Sequence, residues 1–189
     1  MRRPLGNGWA DFPAPYAGDF HDHYARRALA ASADYLQLVP AEALYPEWAP
    51  ADGGPGLSLR RDEAYLVTFP SGRPPARGYW SLTAYDESGS LVPNPLGRHS
   101  LGDRSGLTFA NGDLVYGTGA ANRTADPFSI LIQPADVPPP ANWTSNWLPA
   151  PARGGDFSLI LRLYGPTGAL THGGSYVYPI VKKRRAFFQ

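Results

Sequence analysis

The sequence predicts an all-β fold: a jelly-roll-like antiparallel β-sandwich carrying one N-terminal helix. Three observations predict it. Glycine and proline each occur 21 times, with no collagen-like period, and punctuate short aromatic and β-branched runs. About eight such runs follow one another from Leu57 onward, divided by turn residues and too short for helices. The stretch "LTFANGDLVYG" reads as a hairpin, since "NG" supplies the two positive-φ residues of a type I′ turn.

Taken in order, the first 18 residues are rich in Pro and Gly and read as an irregular arm. "GDFHDHYARRALAASADYLQLV" has helical periodicity in Phe20, Tyr24, Ala28, Ala31, Tyr35 and Leu38. Asp19 is the expected N-cap, Asp22 echoes a capping box, and Pro40 closes the helix. A linker with Pro46, Pro50 and "DGGPG" follows. Residues 1–56 are therefore expected as arm, helix and linker, and 57–189 as the sandwich domain. Within it, "EAYLVTF", "YWSLTAYD", "FSILIQ", "FSLILRLYGP" and "SYVYPIV" are the strand candidates.

Composition narrows the chemistry. The net charge is +1, so no nucleic-acid or membrane-surface partner is expected, because such partners need a concentrated basic face. The basic run "KKRR" from Lys182 to Arg185 reads as a solvated tail. The absence of cysteine removes disulfides, thiolate nucleophiles and cysteine metal sites. No apolar segment follows Arg2 and Arg3, and none is long enough to span a bilayer, so a cytoplasmic location is expected.

"YWSLTAYDESGSLVPNPLGRHSLGDR", a later "NWLPAP" and "FSLILRLYGP" together resemble the family known as domain of unknown function 1214. Trp80, Ser81, Leu82, Thr83, Tyr85 and Asp86 match its hallmark strand. Asn94, Pro95, Arg98, Ser100, Gly102, Asp103 and Arg104 match its loop. Trp147, Leu148, Pro149, Pro151, Arg162, Leu163, Tyr164 and Pro166 match its C-terminal segment. The resemblance runs from about Asp62 to Val181 and implies a jelly-roll-like sandwich. Its members are usually longer, fused behind a companion domain and often exported, so this chain is expected to be a stand-alone member. His99 stands where the family more usually carries a tyrosine. The resemblance implies no particular activity.

Candidate chemistry is sparse. "HDH" (His21, Asp22, His23) opens a helix, where residues i and i+2 diverge by about 200°, so no metal site is expected. "GTGAAN" opens no helix and "GxSxG" is absent, which leaves no dinucleotide loop and no hydrolase elbow. His99, flanked by Arg98 and followed by Asp103, is the best-placed acid–base group; the plainer alternative is a loop imidazole bonded to backbone. Phe157, Leu159, Leu161 and Leu163 form an apolar strand face, and Ile160, Arg162 and Tyr164 form a mixed one suited to a pocket wall or a paired charge. Asp86 or Asp103 is the expected partner of Arg162.

The candidates are thus His99, Asp103 and Arg162 as catalytic groups, and Trp80, Tyr85, Arg98, Trp147 and Tyr164 as substrate-binding groups. The expected function is an enzyme, of cyclase or isomerase type in a biosynthetic pathway, acting on a small, largely apolar metabolite. It is expected to need no cofactor and no metal, because orientation in a shaped site can supply much of the rate. Its partner would be a small-molecule substrate, with a homodimer left open. The alternative is a non-catalytic module that binds carbohydrate or protein, with Trp143 or Trp147 as a stacking platform. A closed apolar pocket between the sheets favours the enzyme; an open aromatic site on a loop or sheet face favours the module.

Overall fold

The longest strand organises the molecule. A computed structural model describes residues 2–13, 16–33, 37–50, 56–120 and 122–188. Its strands are β1 (Arg3–Gly6), β2 (Trp9–Asp11), β3 (Ala43–Leu44), β4 (Glu47–Trp48), β5 (Leu57–Arg60), β6 (Glu63–Phe69), β7 (Trp80–Asp86), β8 (Ser100–Gly102), β9 (Phe128–Pro134), β10 (Trp147–Ala150), β11 (Gly154–Tyr164) and β12 (Ile180–Arg185). One edge of β11 pairs with β7, from Phe157↔Asp86 to Leu163↔Trp80. Its other edge takes β5, β4 and β3 in succession. The larger sheet runs β1-β2-β4-β11-β7-β8, with β3 and β5 also on β11; the smaller runs β10-β9-β6-β12.

The two sheets pack face to face as an all-β sandwich, and the period of two explains which residues meet. Phe157, Leu159, Leu161 and Leu163 of β11 and Trp80, Leu82 and Ala84 of β7 point inward. They meet Val67 and Phe69 of β6 and Phe128, Ile130 and Ile132 of β9. Phe69 stacks on Phe128 at 4.6 Å and lies 5.0 Å from Trp80, so aromatic area dominates this centre. The pairing of β9 with β10 is parallel (Trp147↔Leu131), a departure from a wholly antiparallel sandwich. It sets Leu148 and Ala150 in the main core and Trp147 in a second, small cluster with Ala64 and Leu131 on the outer face.

Several local expectations change. The helix α1 spans Tyr24–Ala33 and starts later than Asp19, because His21 has a φ of 41°, which an α-helix does not accommodate. Asp19 instead lies 3.0 Å from His21 Nε2. Tyr35 and most of the "DGGPG" linker lie outside the described residues. Among the first 56 residues, β1 to β4 join the larger sheet, and Trp9 and Leu44 are each 1% exposed in the main core. The Trp9 indole N–H donates to Pro179 O at 2.7 Å, which gives a buried polar atom its partner.

The Thr108–Leu114 hairpin forms with a different turn. Phe109 N donates to Asp113 O and Gly112 N to Phe109 O, and only Gly112 has a positive φ, of 88°. That is a type I turn followed by a left-handed glycine, the three-residue solution to the same connection. "SYVYPIV" is largely irregular, with Tyr178 donating to Leu170 O at 2.6 Å, and the last strand begins at Ile180. "KKRR" is thus no tail. It is the edge strand β12, where lysine side chains protect an otherwise open sheet edge.

Candidate functional site

The family-like loop between β7 and β8 is a brace before it is anything else. The Asn94 carboxamide accepts N–H bonds from Leu96 and Arg98 and donates to Val92 O and Arg98 O. That closes the loop and aims Arg98 across the sandwich, where Nη1 donates to Thr144 O at 2.5 Å and Trp147 O at 2.9 Å. Burial lowers the pKa of this guanidinium, but the two carbonyls hold it in place. His99 Nδ1 lies 3.2 Å from Val92 O, the backbone-bonded arrangement weighed against a catalytic one.

The predicted site residues lie in three places. Trp80 and Asp103 lie at one end of the sandwich. There the Trp80 indole donates to the Tyr116 hydroxyl at 2.8 Å, and Arg73 stands 5.0 Å over the Tyr116 ring. Burial raises the Asp103 carboxyl above its ordinary pKa, against the opposing pull of the Trp80 backbone N–H and the Arg104 charge. Burial likewise raises the Tyr116 phenol. Arg162, Tyr85 and Tyr164 lie on the outer face of the larger sheet. Arg162 Nη2 donates to the Tyr85 hydroxyl at 2.5 Å, and Tyr164 stacks on Tyr79 at 4.2 Å. Arg98, His99 and Trp147 lie near the junction with the smaller sheet.

Arg162 does not pair with Asp86. The Asp86 carboxylate accepts the Ser88 N–H, the Ser88 hydroxyl and the Ser90 N–H, which closes the following turn and lowers its pKa. Trp147 is 4% exposed, with its indole donating to Gln133 O. A side chain so placed packs the core and cannot stack on a ligand.

An open cleft lies beside this last group. Its volume is about 690 Å³, bounded by the Thr108–Gly112 turn, the start of β9, Thr68 of β6 and the 3₁₀ segment Ala141–Asn146. Among the described residues, its lining holds no charged side chain. Thr68 Oγ1 and Ser129 Oγ are 3.0 Å apart, and Thr108 Oγ1 and Ser145 Oγ are 2.9 Å apart. Asn146 fixes the geometry. Its Oδ1 accepts the Thr108 N–H, and its Nδ2 donates to Thr108 O and Ser129 O. Trp143 forms one wall, edge-on to Phe187 at 5.2 Å, and the Asn142 carboxamide at the rim is exposed and makes no hydrogen bond among the described residues.

Among the described residues, no group of three or more His, Asp or Glu side chains could hold a metal ion. Among the same residues, no helix is long and apolar enough to cross a membrane. A family model described as "Protein of unknown function (DUF1214)" matches residues 42–168. The chain belongs to this family. A similar solved structure is that of the VPA0106 protein from Vibrio parahaemolyticus, at 25% identity and a TM-score of 0.57. The match covers 83% of this chain and 34% of that one, so this chain spans about a third of its relative's length. No curated protein matches it.

Within this DUF1214 chain, the residues that carry the resemblance have visible structural work. Asn94 and Arg98 brace the loop, and Gly102 lets β8 approach β7. Sequence reasoning did not find Asn146, Thr68 or Ser129, whose hydroxyls and amide carry no local pattern. It also did not find Tyr116, which meets Trp80 only through the fold, or Arg73, which lies over the Tyr116 ring.

The raised Asp103 carboxyl gives a pH prediction. A carboxyl whose folded pKa exceeds its unfolded value adds stability below about pH 3.9, and that stability is lost as pH rises through the folded value. Asp103→Asn cannot ionise. Its melting temperature relative to wild type is expected to climb between pH 4 and pH 7, and a flat difference across that range would refute the assignment.

Proposed function

We propose that this protein is a non-catalytic binding module whose cleft accepts a carbohydrate. One observation carries the reading: an open, uncharged cleft in which neutral hydroxyls and amides stand beside an indole wall. Sugars present a polar rim of hydroxyls and an apolar face of C–H groups. Neutral donors and acceptors suit the rim, and the face of Trp143 suits the C–H groups. The cleft also lies at the edge of the sandwich, with Asn111, Gly112, Ala141 and Asn142 exposed around it. That shape fits an open binding site better than a sealed reaction chamber.

The test is binding to a panel of immobilised oligosaccharides. Trp143→Ala is expected to weaken the best binder about 30-fold, the scale of a central aromatic anchor. Asn142→Ala, which alters no internal hydrogen bond, is expected to weaken it several-fold with an unchanged melting temperature. Absence of any binder in the panel, or equal binding by both variants and wild type, would sink the proposal.

A second reading, an enzyme of cyclase or isomerase type, draws on the Asp103 end. A carboxyl whose pKa burial raises, interacting with the Tyr116 phenol and the Arg104 charge, is suitable chemistry for a general acid. Turnover of an apolar metabolite that disappears in a folded Asp103→Asn variant would favour it over the module.

A further inference from the structure

Of the four cations on β12, only Lys183 has an ion pair among the described residues. In the β12–β6 ladder, Lys183 stands opposite Tyr65, on the inward face. There it makes an ion pair with Glu63 at 2.9 Å and lies 5.7 Å from the Tyr65 ring. Lys182 and Arg184 stand opposite Leu66 and Ala64, so they lie on the outer face together with Thr68. Both are exposed, and neither has an ion pair among the described residues. Arg184 makes only a backbone bond, to Lys183 O at 3.3 Å.

This outer face is continuous with the cleft. Ile180 pairs with Thr68, and Thr68 pairs with Ser129, so one row of the sheet runs from β12 into the cleft lining. Lys182 stands one row further along, about 7 Å away, and Arg184 about 14 Å away. Trp143 and Phe187 pack on Ala64 and Leu131 of the same face. Gln133 bonds both Phe187 N and Phe187 O, which ties down the chain just past the basic strand. The segments next to the lining residues Gly112 and Pro127 differ in charge. There Asp113 and Asp126 share a single arginine, Arg123.

From these placements we infer that the cleft's ligand is an anionic glycan, with a uronate or sulfate group directed towards Lys182 and Arg184. The inference rests on the carbohydrate reading above and adds the charge class of the ligand. A chain lying in the cleft and extending along the outer face reaches two unneutralised cations on β12, whereas the acidic groups lie next to Gly112 and Pro127. The ligand's negative groups therefore belong on the β12 side. Two free cations suit a saccharide bearing one charge per ring. They are too few for nucleic acid, whose binding draws on many phosphate contacts.

The experiment compares polygalacturonate, alginate and heparin with neutral dextran, galactan and xylan, together with single-stranded RNA. It uses wild type, Trp143→Ala and the double variant Lys182→Gln/Arg184→Gln. An acidic polymer is expected to bind at least 10-fold better than any neutral one, with affinity falling as salt rises. The double variant should lose that preference and keep its melting temperature. Trp143→Ala should weaken the acidic polymer as well. Equal binding of acidic and neutral polymers, with the double variant unaffected, overturns the inference and leaves the carbohydrate reading standing. Binding of no polymer overturns both. Acidic binding that ignores Trp143→Ala, or RNA bound as tightly as the acidic glycan, marks general electrostatic adsorption and also overturns it.

Discussion

Asn146→Ala is expected to destabilise the protein by about 3 kcal/mol and to open the cleft. Asn146 is 5% exposed and joins three segments that are distant in sequence. Its Oδ1 takes the Thr108 N–H at 2.9 Å, and its Nδ2 reaches Thr108 O at 2.8 Å and Ser129 O at 2.7 Å. Truncation leaves three backbone groups without their partner, at roughly 1–3 kcal/mol for each group that water does not reach. Thr108 and Ser129 are half-buried, so water recovers part of that loss. In a chain of this length the melting temperature should fall by about 6–12 °C. Asn146→Asp keeps the shape and the acceptor but loses both donors, and should fall between. Chemical denaturation with an unchanged slope would confirm a loss of stability in the folded state; a midpoint equal to wild type would refute the latch.

Gly102→Ala is expected to cost about 3 kcal/mol for a different reason. Gly102 stands opposite Ser81 in the β7–β8 ladder, and a Cβ there would lie 2.0 Å from Trp80 O. The obstacle is backbone, so no side chain can swing aside, and β8 must move away from β7. That movement carries Asp103 away from the Trp80 backbone N–H and loosens the Tyr116 end of the sandwich. Amide exchange should therefore speed up in Ser100–Gly102 and in β7, while β6 and β9 stay protected. Uniform loss of protection across both sheets, or none at all, would contradict this local account. The clash is not shared by every glycine, because at Gly89 an added Cβ meets nothing within 4 Å.

Strand content was legible wherever burial alternates. "FSLILRLY" and "YWSLTAYD" announce their inward faces, and Leu159, Leu161, Leu163 and Leu82 are fully buried as that alternation requires. The edge strand β12 was not legible. A run of four cations has no apolar face of its own, and its strand form depends on β6 being there to pair with it. The helix start was misplaced because His21 adopts a positive φ, a backbone choice made by its surroundings rather than by an aspartate three residues before Asp22. The candidate site divided similarly. Trp143 was visible as a loop aromatic, but Thr68, Ser129 and Asn146 are ordinary residues until the fold assembles them.

By itself the sequence determined the all-β class, the family, the inward faces of the long strands and the absence of thiol chemistry. Those properties follow from residue type and short-range period, which each segment carries alone. Tertiary structure decided which polar groups meet. Arg162 finds Tyr85 across 77 residues, and Asn146 finds Thr108 across 38, so neither pairing is written in any local window. It also decided that the eight expected site residues divide among three places, while a cleft forms where the Thr108–Gly112 turn and the Ala141–Asn146 segment converge beside β6 and β9. Long-range pairing satisfies buried polar atoms only after the hydrophobic faces have closed, and that closure is where the site arises.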